Sequence, residues 1–149
     1  MTDPVTVPGR ILKYFQDDAM LQALARGGVK IAYADLPPSY PSVTFAVMPG
    51  PAEPRAGYNE NLVCDHNPTY RVHVWVKKAD NTASGRGDNG LVMAIDERVR
   101  ILWMNIGKTI PEIRDLVRSS GPVNVPDPDL QVHHSTSAYT FVYATIDTI

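Results

Sequence analysis

The sequence predicts an α+β fold: a mainly antiparallel sheet of about four to five strands packed against one long helix, with N-terminal helices and long loops. Three observations lead there. Residues 89–104 place Leu91, Val92, Ile95, Val99 and Leu102 on one helical face, while Asp96, Glu97, Arg98 and Arg100 cover the rest. Residues 69–78 alternate, with Tyr70, Val72, Val74 and Val76 on one side and Arg71, His73, Trp75 and Lys77 on the other. The remaining strand-like segments follow one another with few helices between them, which favours antiparallel pairing.

Taken in order, residues 1–9 read as a Pro-containing arm, with Thr6 as a helix cap. Ile11, Leu12 and Phe15 then recur at helical spacing, with Arg10, Lys13 and Gln16 on other faces. Asp17 or Asp18 caps a second short helix carrying Leu21 and Leu24, and Gly27-Gly28 stops it. Residues 29–34 alternate as a short strand. Val43, Phe45 and Val47 alternate with Ser42, Thr44 and Ala46 in another. Residues 49–67 are rich in Pro, Gly and Asn and read as a long loop, as do the polar residues 79–90.

Asp88 or Asn89 suits the cap of the long helix, and Gly107 its end. Thr109-Ile-Pro-Glu112 has the pattern of a capping box with an early proline, which predicts a short helix running to Gly121. The valines and isoleucines of that segment suit a strand equally. Residues 122–130 read as a turn-rich connector, and 130–136 and 138–146 as two strands, the second alternating Tyr139, Phe141 and Tyr143 with Thr140, Val142 and Ala144. No internal repeat is present, and 149 residues are expected to form a single domain.

Composition narrows the function classes. The chain is 44% hydrophobic and 20% charged, ordinary for a globular protein. A net charge of −2 argues against avid, nonspecific nucleic-acid binding but leaves room for a local basic patch. One cysteine, Cys64, excludes an intrachain disulfide framework and fits a reducing compartment. Met1 to Pro8 lacks the basic-then-apolar order of a signal peptide. No apolar run approaches the roughly 20 residues of a membrane span.

Motifs for chemistry are incomplete. Gly107-Lys108-Thr109 resembles the end of a phosphate-binding loop, but Leu102 stands where that loop needs glycine. Asp80-Asn-Thr82-Ala-Ser84-Gly85 lacks the carboxylates of a calcium loop, and its twelfth position is Leu91. Arg86-Gly87-Asp88 is a three-residue adhesion tripeptide, in which Asp88 suits a helix cap better. Cys64-Asp-His66 and His133-His134 offer metal-capable groups without the usual four-ligand set, and adjacent strand histidines point to opposite faces. A cysteine hydrolase using Cys64 with His66 or His73 lacks a visible third group and oxyanion site. Proline bars Asn67-Pro68-Thr69 from glycosylation, and Asp127 and Asp129 flank a turn proline. No cofactor or metal is expected. Trp75 among Arg71, His73 and Lys77 marks either a sheet covered on both faces or a contact surface.

The order of pieces resembles the tail terminator (tail-completion) family of long-tailed bacteriophages. The resemblance rests on Ile11 to Leu24, Tyr40-Pro-Ser-Val-Thr-Phe45, the strand Tyr70 to Trp75, the helix Leu91 to Trp103, Asp127-Pro-Asp-Leu-Gln-Val-His-His134 and the aromatic strand Tyr139 to Tyr143. Segments 49–67 and 108–121 depart from the simplest pattern. The resemblance implies a structural virion protein at the head-proximal end of the tail. It would form a homohexameric ring that stops tail-tube polymerisation and joins tail to head. Its partners would be the tail tube protein and a head–tail connector or stopper, with DNA passing through the lumen without specific binding and no membrane contact. A neighbouring head-completion stopper is the alternative role, a small cysteine hydrolase a more distant one. No catalytic residue is carried over. The candidate subunit-interface residues are Arg71, Trp75 and Lys77 on the central strand, with Arg55, Tyr58, Arg86 and Asp88 in the two loops.

Overall fold

The computed structural model describes residues 6–31, 39–50, 52–56, 61–83, 90–127 and 131–148. The fold is α+β. Among the described residues, four helices, α1 (Val7–Gln16), α2 (Ala19–Leu24), α3 (Lys78–Ala83) and α4 (Gly90–Asn105), accompany seven strands. The strands are β1 (Val29–Ile31), β2 (Ser42–Met48), β3 (Ala52–Ala56), β4 (Asn61–His66), β5 (Thr69–Lys77), β6 (Arg114–Asp127) and β7 (Val132–Thr148). They lie in the order β1-β2-β5-β7-β4-β3, with β6 also paired to β7. Every pairing is antiparallel except β1 with β2.

The caps follow from short polar side chains before apolar runs. Thr6 Oγ1 accepts from Gly9 N at 3.2 Å, so α1 begins inside the segment expected to be an arm, and Val7 is buried. Residues 1–5 of that arm lie outside the described residues. Asp18 caps α2 through Leu21 N at 2.8 Å. The first strand is described over Val29–Ile31, and residues 32–34 of the expected strand lie outside the described residues.

Four expectations are corrected. Residues 49–67 are not simply a loop. β2 passes through Pro49-Gly50 toward β3, and β4 passes through Asn67-Pro68 into β5, so a kinked hairpin replaces the loop. A Cβ at Gly50 would stand 1.8 Å from the Asn67 carbonyl oxygen, so the two kinks touch through a position only glycine fits. Pro54 is tolerated because β3 is an edge strand.

Residues 79–83 of the expected polar loop, with Lys78 from the end of the expected strand, form α3. Asn81 Oδ1 accepts from Leu91 N at 2.8 Å and so serves the start of α4 from another element. The expected caps Asp88 and Asn89 lie outside the described residues.

The third correction falls on 109–127. A 3-10 turn (Ile106–Lys108) buries Ile106, and the chain turns at Thr109 to Glu112 and then runs as β6 rather than as a helix and connector. Asp115 (φ 55°) and Gly121 (φ 89°) break helical geometry. A Cβ at Gly121 would lie 2.6 Å from Ser137 Cα, so this strand can approach β7 only with glycine there. The two expected C-terminal strands are one strand, β7. These corrections account for seven strands where about four to five were expected.

The core lies between the helices and one sheet face. Trp103 is fully buried and stacks on Tyr139 (centroids 5.1 Å apart, planes 18° apart), with Phe15 at 4.9 Å and Tyr70 at 5.4 Å. Phe45 and Phe141 complete this cluster. The helices pack on β1, β5, β6 and β7. Residues 143–148 of β7 instead pair with β4, which pairs with β3, so a three-stranded extension continues past Tyr143.

Candidate functional site

Strand register sorts side chains between two faces, because successive residues alternate sides. Tyr70, Val72, Val74 and Val76 lie opposite Tyr139, Ser137, Ser135 and His133 on the helix-covered face. Arg71, His73, Trp75 and Lys77 lie opposite Ala138, Thr136, His134 and Val132 on the other, helix-free face. Ser42 and Thr44 of β2 and Lys30 of β1 belong to this open face by the same register. So do Val117, Val123 and Val125 of β6, which oppose Thr140, Thr136 and His134.

On the helix-covered side, five cations pair with carboxylates within the chain, while the exposed Arg26 and Lys108 have no ion pair among the described residues. Arg98 grips Asp18 with Nε at 2.9 Å and Nη2 at 2.6 Å, tying α4 to the cap of α2. The Arg98 bond, with the Leu21 N–H, holds the Asp18 carboxyl below the usual range against the opposing effect of burial. Arg118 Nη2 binds the buried Asp96 at 2.8 Å, joining β6 to α4, and lies over the Tyr139 ring. Burial pushes the Tyr139 hydroxyl up to about 12. Lys13 pairs with Asp17 at 2.8 Å, Arg10 with Glu112 and Arg100 with Glu97.

The open face has two halves. Over β1, β2 and β5, Lys30, Arg71 and Lys77 are exposed, and none has an ion pair among the described residues. Between them the rings stand stacked. Trp75 and His134 lie 3.8 Å apart and within 5° of parallel, and His73 Nδ1 meets His134 Nε2 at 2.7 Å. One imidazole of that pair must accept, so the bond requires a neutral ring. Burial, then the nearby Arg71 charge, lowers the pKa of His73. Trp75 Nε1 donates to Thr44 Oγ1 at 2.9 Å, which fixes the indole across β2. At the β6 edge the face turns apolar: Val117, Val123 and Val125 are 56%, 54% and 41% exposed.

A second apolar surface lies on the opposite layer. Met93, Ile101 and Met104 are exposed on the outer side of α4, along one stripe with Glu97. Two concavities flank the helices. A groove of about 840 Å³ between α4 and β6 is lined by Met93, Arg100, Arg118, Asn124 and Ser135, and a smaller one of about 370 Å³ lies beside Arg10, Tyr14 and Thr109. Among the described residues, no group of three or more His, Cys, Asp or Glu side chains is arranged to hold a metal. Cys64 is half-buried on β4, and the His66 ring stacks on Tyr143 with Nε2 2.9 Å from Thr145 Oγ1.

Comparison with models of known protein families gives no match. Comparison with curated proteins gives none either.

Of the expected interface residues, Arg71, Trp75 and Lys77 come together on the open face. Arg55 falls on β3. Tyr58, Arg86 and Asp88 lie outside the described residues. Sequence reasoning missed Lys30, His134 and the β6 valines. Only cross-strand register joins them to Trp75, and register is not written in any one strand.

Proposed function

We propose that this chain is a structural assembly protein that forms a closed ring, the tail terminator of a long-tailed bacteriophage, which ends tail-tube growth and joins the tail to the head. One observation carries the assembly reading. Exposed apolar surfaces occupy opposite layers of the molecule: Val117, Val123 and Val125 on the open sheet face, and Met93, Ile101 and Met104 on the outer side of α4. A ring is built from heterologous contacts, in which one patch meets a different patch on the next copy until rotation closes the circle. Two unlike patches facing away from each other suit that head-to-tail geometry. A two-fold dimer needs only one self-complementary patch.

The three-stranded extension of β3, β4 and the end of β7 supports the same reading as an element able to reach a neighbour. The resemblance in element order supplies the specific role. In this reading the ring is virion-bound at the head-proximal end of the tail, contacts tube protein on one side and the connector or stopper on the other, and lets DNA pass. The test is negative-stain electron microscopy of the purified chain, alone and with tube protein from the same genome. Six-fold rings that cap tubes and fix their length are expected. Chains that bind the portal-side adaptor and ignore tubes would point to the stopper role, and particles with no rotational symmetry would refute the assembly reading.

A further inference from the structure

We propose that the cationic half of the open face, on β1, β2 and β5, is a binding surface for the phosphate backbone of duplex DNA. This deepens the ring reading by naming the surface that DNA meets. The first ground is sign. β1, β2, β5 and residues 132–142 of β7 contain no aspartate or glutamate, yet they carry Lys30, Arg71 and Lys77. All three are exposed and without an ion pair among the described residues; five cations on the helix-covered side hold carboxylates, and Arg26 and Lys108, which hold none, stand singly outside this face. At the margin of the face, Arg114 opposes Val142, Asp115 follows it in a bulge of β6, Asp127 ends that strand opposite Val132, and Asp65 lies on the β4 extension.

The second ground is spacing. Arg71 and Lys77 are six residues apart on one strand, roughly 20 Å, and Lys30 lies two strands from His73, about 10 Å. One sign of charge over that span addresses a partner that is itself a line of opposite charge. The third ground is what fills the gaps. Trp75, His73 and His134 form a stacked platform between the cations, and Lys77 Nζ stands 5.6 Å from the Tyr40 ring centroid. Polar, positive surface is characteristic of contacts to duplex DNA, whereas protein contacts centre on apolar anchors. Apart from Met48 at the end of β2, the exposed large apolar side chains lie outside this half.

The experiment measures fluorescence anisotropy of a labelled 20-base-pair duplex and of labelled poly-glutamate, from 50 to 200 mM NaCl, with light scattering on the same samples. Three cations facing phosphates predict a log–log salt slope of about −2.7 for each chain that engages the duplex, and for one chain a loss of about 40-fold in duplex affinity over that range. The double variant R71Q/K77Q should lower the slope to about a third, about −0.9 per engaged chain, with an unchanged circular dichroism spectrum. K13Q, on the helix-covered side, should leave it unchanged. No duplex binding at 50 mM NaCl, poly-glutamate bound as tightly as the duplex, or equal effects of K13Q and R71Q/K77Q would overturn the proposal. A ring that ignores DNA sinks this inference alone. A monomer that binds DNA through Arg71 and Lys77 upholds it and sinks the ring.

Discussion

On the helix-covered side of the sheet, Arg10, Lys13, Arg98, Arg100 and Arg118 each meet a carboxylate; on the open side, Lys30, Arg71 and Lys77 meet none among the described residues. The pairs on the covered side have structural work. Arg98–Asp18 docks α2 on α4, Arg118–Asp96 docks β6 on α4, and Arg10–Glu112 fastens α1 to the turn before β6. The cations of the open side hold no carboxylate among the described residues, and Lys77 Nζ lies 5.6 Å from the Tyr40 ring centroid. Exposed charge without a partner adds little to folding, and a DNA surface is the use proposed for it.

That contrast can be broken from either side. Trp103→Ala should cost the most, about 3–5 kcal/mol, because the indole touches Phe15, Tyr70 and Tyr139 at the centre of the core. Urea denaturation followed by circular dichroism measures it. Asp96→Ala should cost about 1–3 kcal/mol in the same assay, since it strips the half-buried Arg118 guanidinium and the buried Ser137 hydroxyl of their acceptor.

The third test is pH. The pKa of His73 is lowered in the folded chain from 6.5, so the native state holds fewer protons than the unfolded one. Stability from this group is therefore full above about pH 6.5 and falls as pH drops through the lowered native value. The groups facing His73 are Thr44 from β2, Thr136 and His134 from β7, and Arg71 and Trp75 on its own strand. His73→Asn should flatten the dependence of the thermal midpoint between pH 7 and 5. The smallest effect is expected from R71Q/K77Q, a stability change within about 0.5 kcal/mol. A large loss there would mean that the open face is structural after all.

How much of this was legible in the sequence depended on whether a signal was local. The long helix and β5 announce themselves by period, and Asp18 and Thr6 by cap position. β3, β4 and β6 were hidden by Pro, Gly and a capping-box look-alike, because kinks and bulges use the same residues as loops. Trp103 sits one residue past the apolar positions that defined the helix face, yet it is the centre of the core. The open face was half legible. Arg71, Trp75 and Lys77 share a strand, but Lys30, His134 and the β6 valines join them only through pairing.

The measurement that bears most directly on assembly is the absolute mass of the purified chain in solution, wild type beside V123D/V125D, by multi-angle light scattering. The ring account predicts six chain masses for the wild type and one for the double variant, with matching circular dichroism spectra. A wild type that stays at one chain mass throughout the micromolar range would contradict it.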